Sequence, residues 1–278
     1  MMKLAASVFD FFHSKWESSV TDKLVSRFLI GGFIIGLILA GLDGLFDISI
    51  LKKHVNYFLA IDISFQVLLI IEILGLIFVL PRSVADSVGK QFEILSVILL
   101  RSAFKEFGSF EQPVEWSNLI YDPLFHMLSD AFGALGIFLI IGFYYNKQKH
   151  ERITKNEAEQ EDFIRFKKTL AIALLLVFAY LGFTDLRHLY QSGSYADSFN
   201  TFYTILIFTD VAILLYSLRY SSRYYNLFRY SSFAFATILI RVALTAPPYI
   251  NVALGIIAGA FVLGLTLIYN YFLLKRLE

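Results

Sequence analysis

The chain has 278 residues, of which 57% are hydrophobic, and its mean hydropathy is +0.64. Soluble domains contain about 45–50% apolar residues, whereas the excess here lies in long uninterrupted runs. A net charge of +1 without a basic patch gives no indication of a nucleic-acid partner, and the lack of cysteine excludes structural disulfides and thiolate metal sites. These properties predict an all-α integral membrane protein embedded in the lipid bilayer.

Residues 1–27 form an amphipathic N-terminal segment, in which a single helix is predicted over 4–27. Phe9, Phe12, Trp16 and Val20 recur at spacings of three and four residues, which places them on one helix face. Such a helix either lies in the membrane interface or packs on the ends of the spans. The sequence leaves these two alternatives open.

The rest of the chain predicts about eight transmembrane helices, because a run of about 20 apolar residues crosses the hydrocarbon core as a helix. The first half, residues 28–146, predicts helices over 28–48, 56–80, 84–107 and 122–146. A charged cytoplasmic linker over 147–167 precedes the second half, residues 168–278, which predicts helices over 168–186, 198–218, 224–246 and 249–274. The helix over 84–107 begins with polar residues, so the sequence does not decide whether it spans the membrane or lies at the interface.

The two halves resemble tandem copies of one four-helix repeat. The segments KQFEILSVILLRSAFKEF (90–107) and YSSFAFATILIRVALTAP (230–247) both carry one late arginine. Three charged positions recur at offsets of 138 or 140 residues: Asp47 with Asp185, Glu72 with Asp210, and Arg101 with Arg241. A repeat unit with an even number of spans predicts that both copies have the same orientation in the membrane.

Buried ion pairs are predicted within each repeat. In the predicted topology the acid that ends the first helix lies at the depth of the arginine in the third helix. The expected pairs are Asp47 with Arg101 and Asp185 with Arg241. They either lock the two helices together or line an outer vestibule or gate.

Glu72 and Asp210 are the leading candidates for an ion pathway, because each is an isolated acid in an apolar helix. If they converge at the repeat interface, the two carboxylates suit a cation or a proton. The alternative is that each acid binds a partner within its own bundle. Asp62 is a further candidate, as are His126 and Asp130, which share one helix face and are expected to form a hydrated pair near the helix end.

The segment RYSSRYYNLFRY at 219–230 combines arginines with tyrosines. This composition is typical of a membrane interface, where arginine binds phosphate and tyrosine lies at headgroup level. We therefore predict a belt that binds lipid or a partner, formed by Arg219, Arg223, Tyr224, Tyr225 and Arg229.

The distribution of Lys and Arg predicts a multi-pass protein of the plasma (inner) membrane with both termini cytoplasmic. The sequence contains no HExxH, GxSxG, Walker A or dinucleotide motif, so we expect neither an enzyme nor a cofactor. Two functions remain open: a channel or transporter for a cation or proton, or a non-transporting anchor, scaffold or effector that binds a partner or lipid. Either could assemble as a homo-oligomer or with a partner membrane subunit.

Overall fold

A computed structural model describes residues 2–46, 58–107, 121–148, 157–192, 198–220 and 224–274. Every regular element in these ranges is an α-helix. In chain order the helices are α1 (Met2–Trp16), α2 (Ser19–Phe46), α3 (Phe58–Val79), α4 (Val84–Phe107), α5 (Tyr121–Lys147), α6 (Glu157–Ser192), α7 (Phe199–Ser217), α8 (Tyr224–Thr245) and α9 (Ile250–Leu274). Within the described residues, α5 to α9 are long and apolar enough to cross a membrane. These helices indicate a membrane protein, while the count of eight spans and the repeat stay predictions.

The ends of most helices follow local sequence signals. The bounds of α3, α4, α5, α7, α8 and α9 agree with the predicted spans to within two residues. The side chain of Ser83 caps α4, because its hydroxyl oxygen accepts a hydrogen bond of 3.0 Å from the backbone N–H of Asp86. Between α8 and α9, Pro247 and Pro248 precede Tyr249, which adopts a positive φ of 67°. Proline and a left-handed residue both interrupt a helix, so the chain reverses here.

The prediction of a single N-terminal helix over 4–27 is wrong. The helix is interrupted at Glu17 and Ser18. The Ser18 hydroxyl donates to the backbone carbonyl of Lys15 and accepts from the backbone N–H of Thr21, and it thereby caps α2. The first helix packs on the bundle: Phe9 is only 2% exposed, and Trp16 stacks on Phe78 of α3 at 5.1 Å. This arrangement supports the packing alternative for the N-terminal segment.

Part of the predicted charged linker is helical. Residues 157–167 form the first three turns of α6, and residues 149–156 of the linker lie outside the described residues. A helix of 36 residues is about 54 Å long, whereas the hydrocarbon core of a bilayer is about 30 Å thick. Charged residues can therefore continue the helix beyond the membrane.

Two groups of buried apolar side chains hold the helices together. The first group comes from α4, α5, α8 and α9, with Leu95, Ile137, Ile240 and Val262 at its centre. The second group comes from α1, α3, α4, α6 and α7. Because α4 contributes to both groups, it is the central helix of the described bundle.

The central position of α4 explains its low hydropathy. Phe92 and Leu95 face the first group, Ile94 faces the second, and the polar Ser87 and Gln91 are also buried. Neighbouring helices, rather than lipid, surround most of this helix. A helix in such a place can carry polar residues that a lipid-facing helix cannot.

Glycines allow α5 and α9 to approach closely. A Cβ atom added to Gly133 would lie 2.6 Å from the methyl groups of Val252, and one added to Gly255 would lie 2.8 Å from Ile137. Small residues at such contacts are typical of transmembrane helix packing, because dispersion forces need close backbones. The pair α5–α9 is thereby fixed as a tight element beside α4.

Candidate functional site

A crevice lies between α4, α6, α7 and α8, close to the connection between α3 and α4. It is small, with a cavity volume of about 40 Å³, and it is partly open to solvent. Six polar side chains that line it are Ser87, Gln91, Lys167, Asp210, Ser217 and Thr237. All six are at most 9% exposed, so the crevice brings polar and charged groups together in the interior of the bundle.

One of the charged residues that line the crevice is Asp210 of α7, which faces Arg241 of α8. Arg241 Nη2 lies 3.9 Å from Asp210 Oδ2, and the side chains are 1% and 9% exposed. Within the described residues, Asp210 Oδ2 and Arg241 Nε and Nη1 have no hydrogen-bond partner. The attraction within a buried ion pair compensates for the desolvation of the two charges only when their geometry is close and further hydrogen bonds are formed. This pair therefore retains hydrogen-bonding capacity inside the protein.

Lys167 of α6 also lines the crevice and is buried, with 3% of its surface exposed. Its ammonium group donates to the backbone carbonyl of Arg82 and lies 5.0 Å from the ring centroid of Phe163. The sequence analysis missed Lys167 because it was assigned to the end of the linker. The available signal was its place just before the apolar run that starts at Leu170.

Aromatic contacts position the start of α6 against the end of α7. Phe166 stacks on Tyr216 with ring centroids 3.8 Å apart. The hydroxyl groups of Tyr216 and Tyr220 donate to Asp162 Oδ2 at 3.3 and 3.1 Å. Burial, together with hydrogen bonds to Tyr216 and Asp162, raises the pKa of Tyr220, so its phenol remains a donor at neutral pH. These contacts hold the helix turn that carries Lys167.

On the central helix, Gln91 is 2% exposed and its Oε1 atom has no hydrogen-bond partner within the described residues. Ser87 lies one turn earlier on α4 and also lines the crevice. An unpartnered buried carbonyl oxygen costs about 1–3 kcal/mol. The crevice therefore has an acceptor available for water or a ligand.

The predicted pairing of Arg241 with Asp185 differs from the structure, which places Arg241 against Asp210. The reason is that α7 packs on α8, whereas the buried Asp185 of α6 accepts a hydrogen bond of 2.6 Å from Ser198. Arg101 is half-buried and donates to Gln66 Oε1 of α3 at 3.3 Å. Its predicted partner, Asp47, lies outside the described residues.

Glu72 and Asp210 experience different charges. Glu72 is half-buried on α3, and the charges that act on it are those of Lys90 and Glu93 on α4. Asp210 instead faces Arg241. These contacts favour the alternative in which each acid has its own charged neighbour. The side chain of the other candidate on α3, Asp62, lies outside the described residues.

The sequence predicted that Asp130 belongs to a hydrated pair. The structure contradicts this, because Asp130 is only 1% exposed. Its Oδ1 atom accepts a hydrogen bond of 2.9 Å from the amide of Asn251, at the start of α9. The close approach of α5 and α9 buries both side chains. His126 is half-buried one turn away and packs edge-on against Tyr249 at 5.0 Å.

The predicted belt divides into exposed and buried members. Arg219, Tyr224 and Tyr225 are exposed, and Arg223 lies outside the described residues. Arg229, in contrast, is 7% exposed, and its guanidinium carbon lies 4.4 Å from the ring centroid of Tyr269 and 5.5 Å from that of Phe233. Arg229 therefore packs against α9, and its part in a belt that binds lipid or a partner stays a prediction.

Within the described residues, no group of three or more His, Asp or Glu side chains is placed to hold a metal ion. Comparison of the chain with known protein families, curated proteins and solved structures finds no match.

Proposed function

We propose that this protein is a channel or transporter that moves protons across the membrane, and that Asp210 in the crevice is the group that binds the proton. The proposal rests on one observation: the carboxylate of Asp210 is buried, lines the crevice and has an oxygen without a hydrogen-bond partner among the described residues. Ionisable side chains inside a membrane bundle typically mark ion pathways and proton relays.

A proton fits this site better than a metal cation. Arg241 lies 3.9 Å from Asp210, and Lys167 lines the same crevice. These two basic side chains disfavour a metal cation, and among the described residues that line the crevice Asp210 supplies the one carboxylate. A proton instead neutralises Asp210 and leaves the charge of Arg241 without its counterion. Protonation is thereby coupled to the position of Arg241, which gives the site two distinct states.

The same proposal includes eight transmembrane helices in two tandem repeats of one orientation, with both termini cytoplasmic in the plasma membrane. Two contacts support it: α4 packs on α8, and α5 packs on α9. These are equivalent helices of the two predicted repeats, and an axis along the membrane normal brings such helices together. Single cysteines in place of Ser83 and Ser109, before and after α4, should be labelled from opposite sides of the membrane. Labelling from one side only would refute a spanning α4.

The test of transport is proton flux into liposomes that contain the purified protein and a pH-sensitive dye. We expect Asp210→Asn to abolish flux, because an amide does not bind and release a proton at physiological pH. Asp130→Asn is the matched control, since it removes a buried acid of α5 that is not among the residues lining the crevice. It should retain flux. Ala234→Leu should also block flux, because Ala234 lines the crevice and a larger side chain fills it without a change in charge.

Thermal unfolding of each variant separates loss of folding from loss of transport. Flux that persists in a folded Asp210→Asn variant would refute the role of this acid. If the wild-type protein shows no flux at all, the alternative of a non-transporting membrane subunit gains support.

A further inference from the structure

Lys167 is a buried basic side chain whose direct hydrogen-bond acceptor is a backbone carbonyl. Among the described residues, no carboxylate lies within 4 Å of its ammonium group, and its hydrogen-bond acceptor is the backbone carbonyl of Arg82. Asp86 is the acid that acts on Lys167 electrostatically, but its Oδ1 accepts a hydrogen bond of 2.9 Å from Gln148. An ammonium group has three donors. At least one of them is available to a group in the crevice.

The acids near Lys167 already have other partners. Asp210 faces Arg241 at 3.9 Å, and Asp86 accepts a hydrogen bond from Gln148. Burial of an ion without a partner is costly, so a site of this kind is stabilised when an anion binds.

The surroundings of Lys167 add neutral donors and a favourable dipole. α4 begins at Val84, which lines the crevice, so the positive end of this 24-residue helix borders the same space. The hydroxyl of Ser87, in the first turn of α4, lines the same space. An ammonium group, a hydroxyl and a helix N-terminus together suit the oxygen atoms of a phosphate or carboxylate.

We propose that the crevice binds a small oxyanion, a phosphate or a carboxylate, at the ammonium group of Lys167. The oxyanion is either a soluble ion or the headgroup of an anionic lipid. This inference goes beyond proton movement and does not depend on it, because binding at Lys167 requires no flux through Asp210.

The test compares thermal unfolding of the purified protein in detergent with inorganic phosphate, and separately with phosphatidic acid, against chloride at the same ionic strength. A ligand that binds the folded state raises the unfolding midpoint in a concentration-dependent way. We expect Lys167→Met to weaken the apparent affinity by about tenfold or more, the effect of losing a charge-assisted hydrogen bond.

Lys168→Met is the matched control. Lys168 is the next residue on α6, but its ammonium group pairs with Asp10 of α1 at 2.5 Å and is not among the groups that line the crevice. This variant should keep the ligand-dependent shift of the wild-type protein. Without ligand, Lys167→Met should unfold at the same temperature as the wild type or above it, because it removes an unpaired buried charge.

A second variant covers the case in which Lys167→Met does not fold. Ser87→Asp introduces a carboxylate into the crevice while Lys167 remains, and it should abolish the ligand-dependent shift by repelling an oxyanion. A Lys167-dependent shift with phosphate supports a soluble ion, and one with phosphatidic acid alone supports a lipid headgroup. The proposal is overturned if neither probe raises the midpoint, or if the shift persists in both variants.

Discussion

The pair formed by Arg241 and Asp210 provides the most direct test of the structure. Loss of one partner leaves the other as an unpaired buried charge. At 3.9 Å, with an effective dielectric constant of about 20, the two charges attract by about 4 kcal/mol. This value agrees with the loss of about 3–5 kcal/mol that follows removal of one member of a buried pair. We therefore expect Asp210→Leu or Arg241→Met alone to lower the unfolding midpoint by on the order of 10 °C.

The double variant Asp210→Leu/Arg241→Met should recover most of this loss, because it removes both charges and leaves apolar groups of similar size. Thermal unfolding of the four proteins in one detergent gives the coupling energy from a double-mutant cycle. Arg165→Met is the control, because Arg165 forms an exposed pair with Glu161 at 2.8 Å. It should cost about 1 kcal/mol or less.

The two single-variant effects would simply add if Arg241 and Asp210 did not interact. A double variant as unstable as the sum of the single variants would therefore refute the pairing. If Arg241→Met alone had no effect, the burial of Arg241 in the bundle would also be in doubt.

Further predictions concern the contact between α5 and α9. Gly133→Ala should destabilise the protein by about 1–3 kcal/mol, because the new Cβ would lie 2.6 Å from the stiff side chain of Val252. Gly142→Ala is the control, because no atom lies within 4 Å of the added Cβ, and it should be neutral or stabilise the protein by up to about 1 kcal/mol. Equal unfolding midpoints for the Gly133→Ala and Gly142→Ala variants would contradict the close packing of α5 on α9. Asn251→Leu should cost about 1–3 kcal/mol, since Asp130 loses its donor. Adding Asp130→Leu should restore the midpoint if the hydrogen bond is the cause.

The helical membrane class of the protein and most helix bounds could be predicted from the sequence. Both depend on local chemistry: the length of an apolar run, a proline such as Pro81, and a cap such as Ser83. The spans of α4 and α8 were predicted to within one residue for this reason. The break at Ser18 was missed because the apolar periodicity continues across it, while one hydroxyl ends the first helix and caps the second.

The contacts between charged residues, in contrast, depend on how the helices pack against one another. An α-helix that is apolar on all sides carries no periodic signal for the face that turns inward. The sequence could therefore identify Arg241 and Asp210 as unusual, but it paired Arg241 with Asp185 instead. Lys167 shows the same limit, because a lysine in a charged segment becomes a buried group only when α6 packs beside α7 and α4. The crevice forms because packing across the bundle sets how each helix is rotated about its axis and which helices lie beside it.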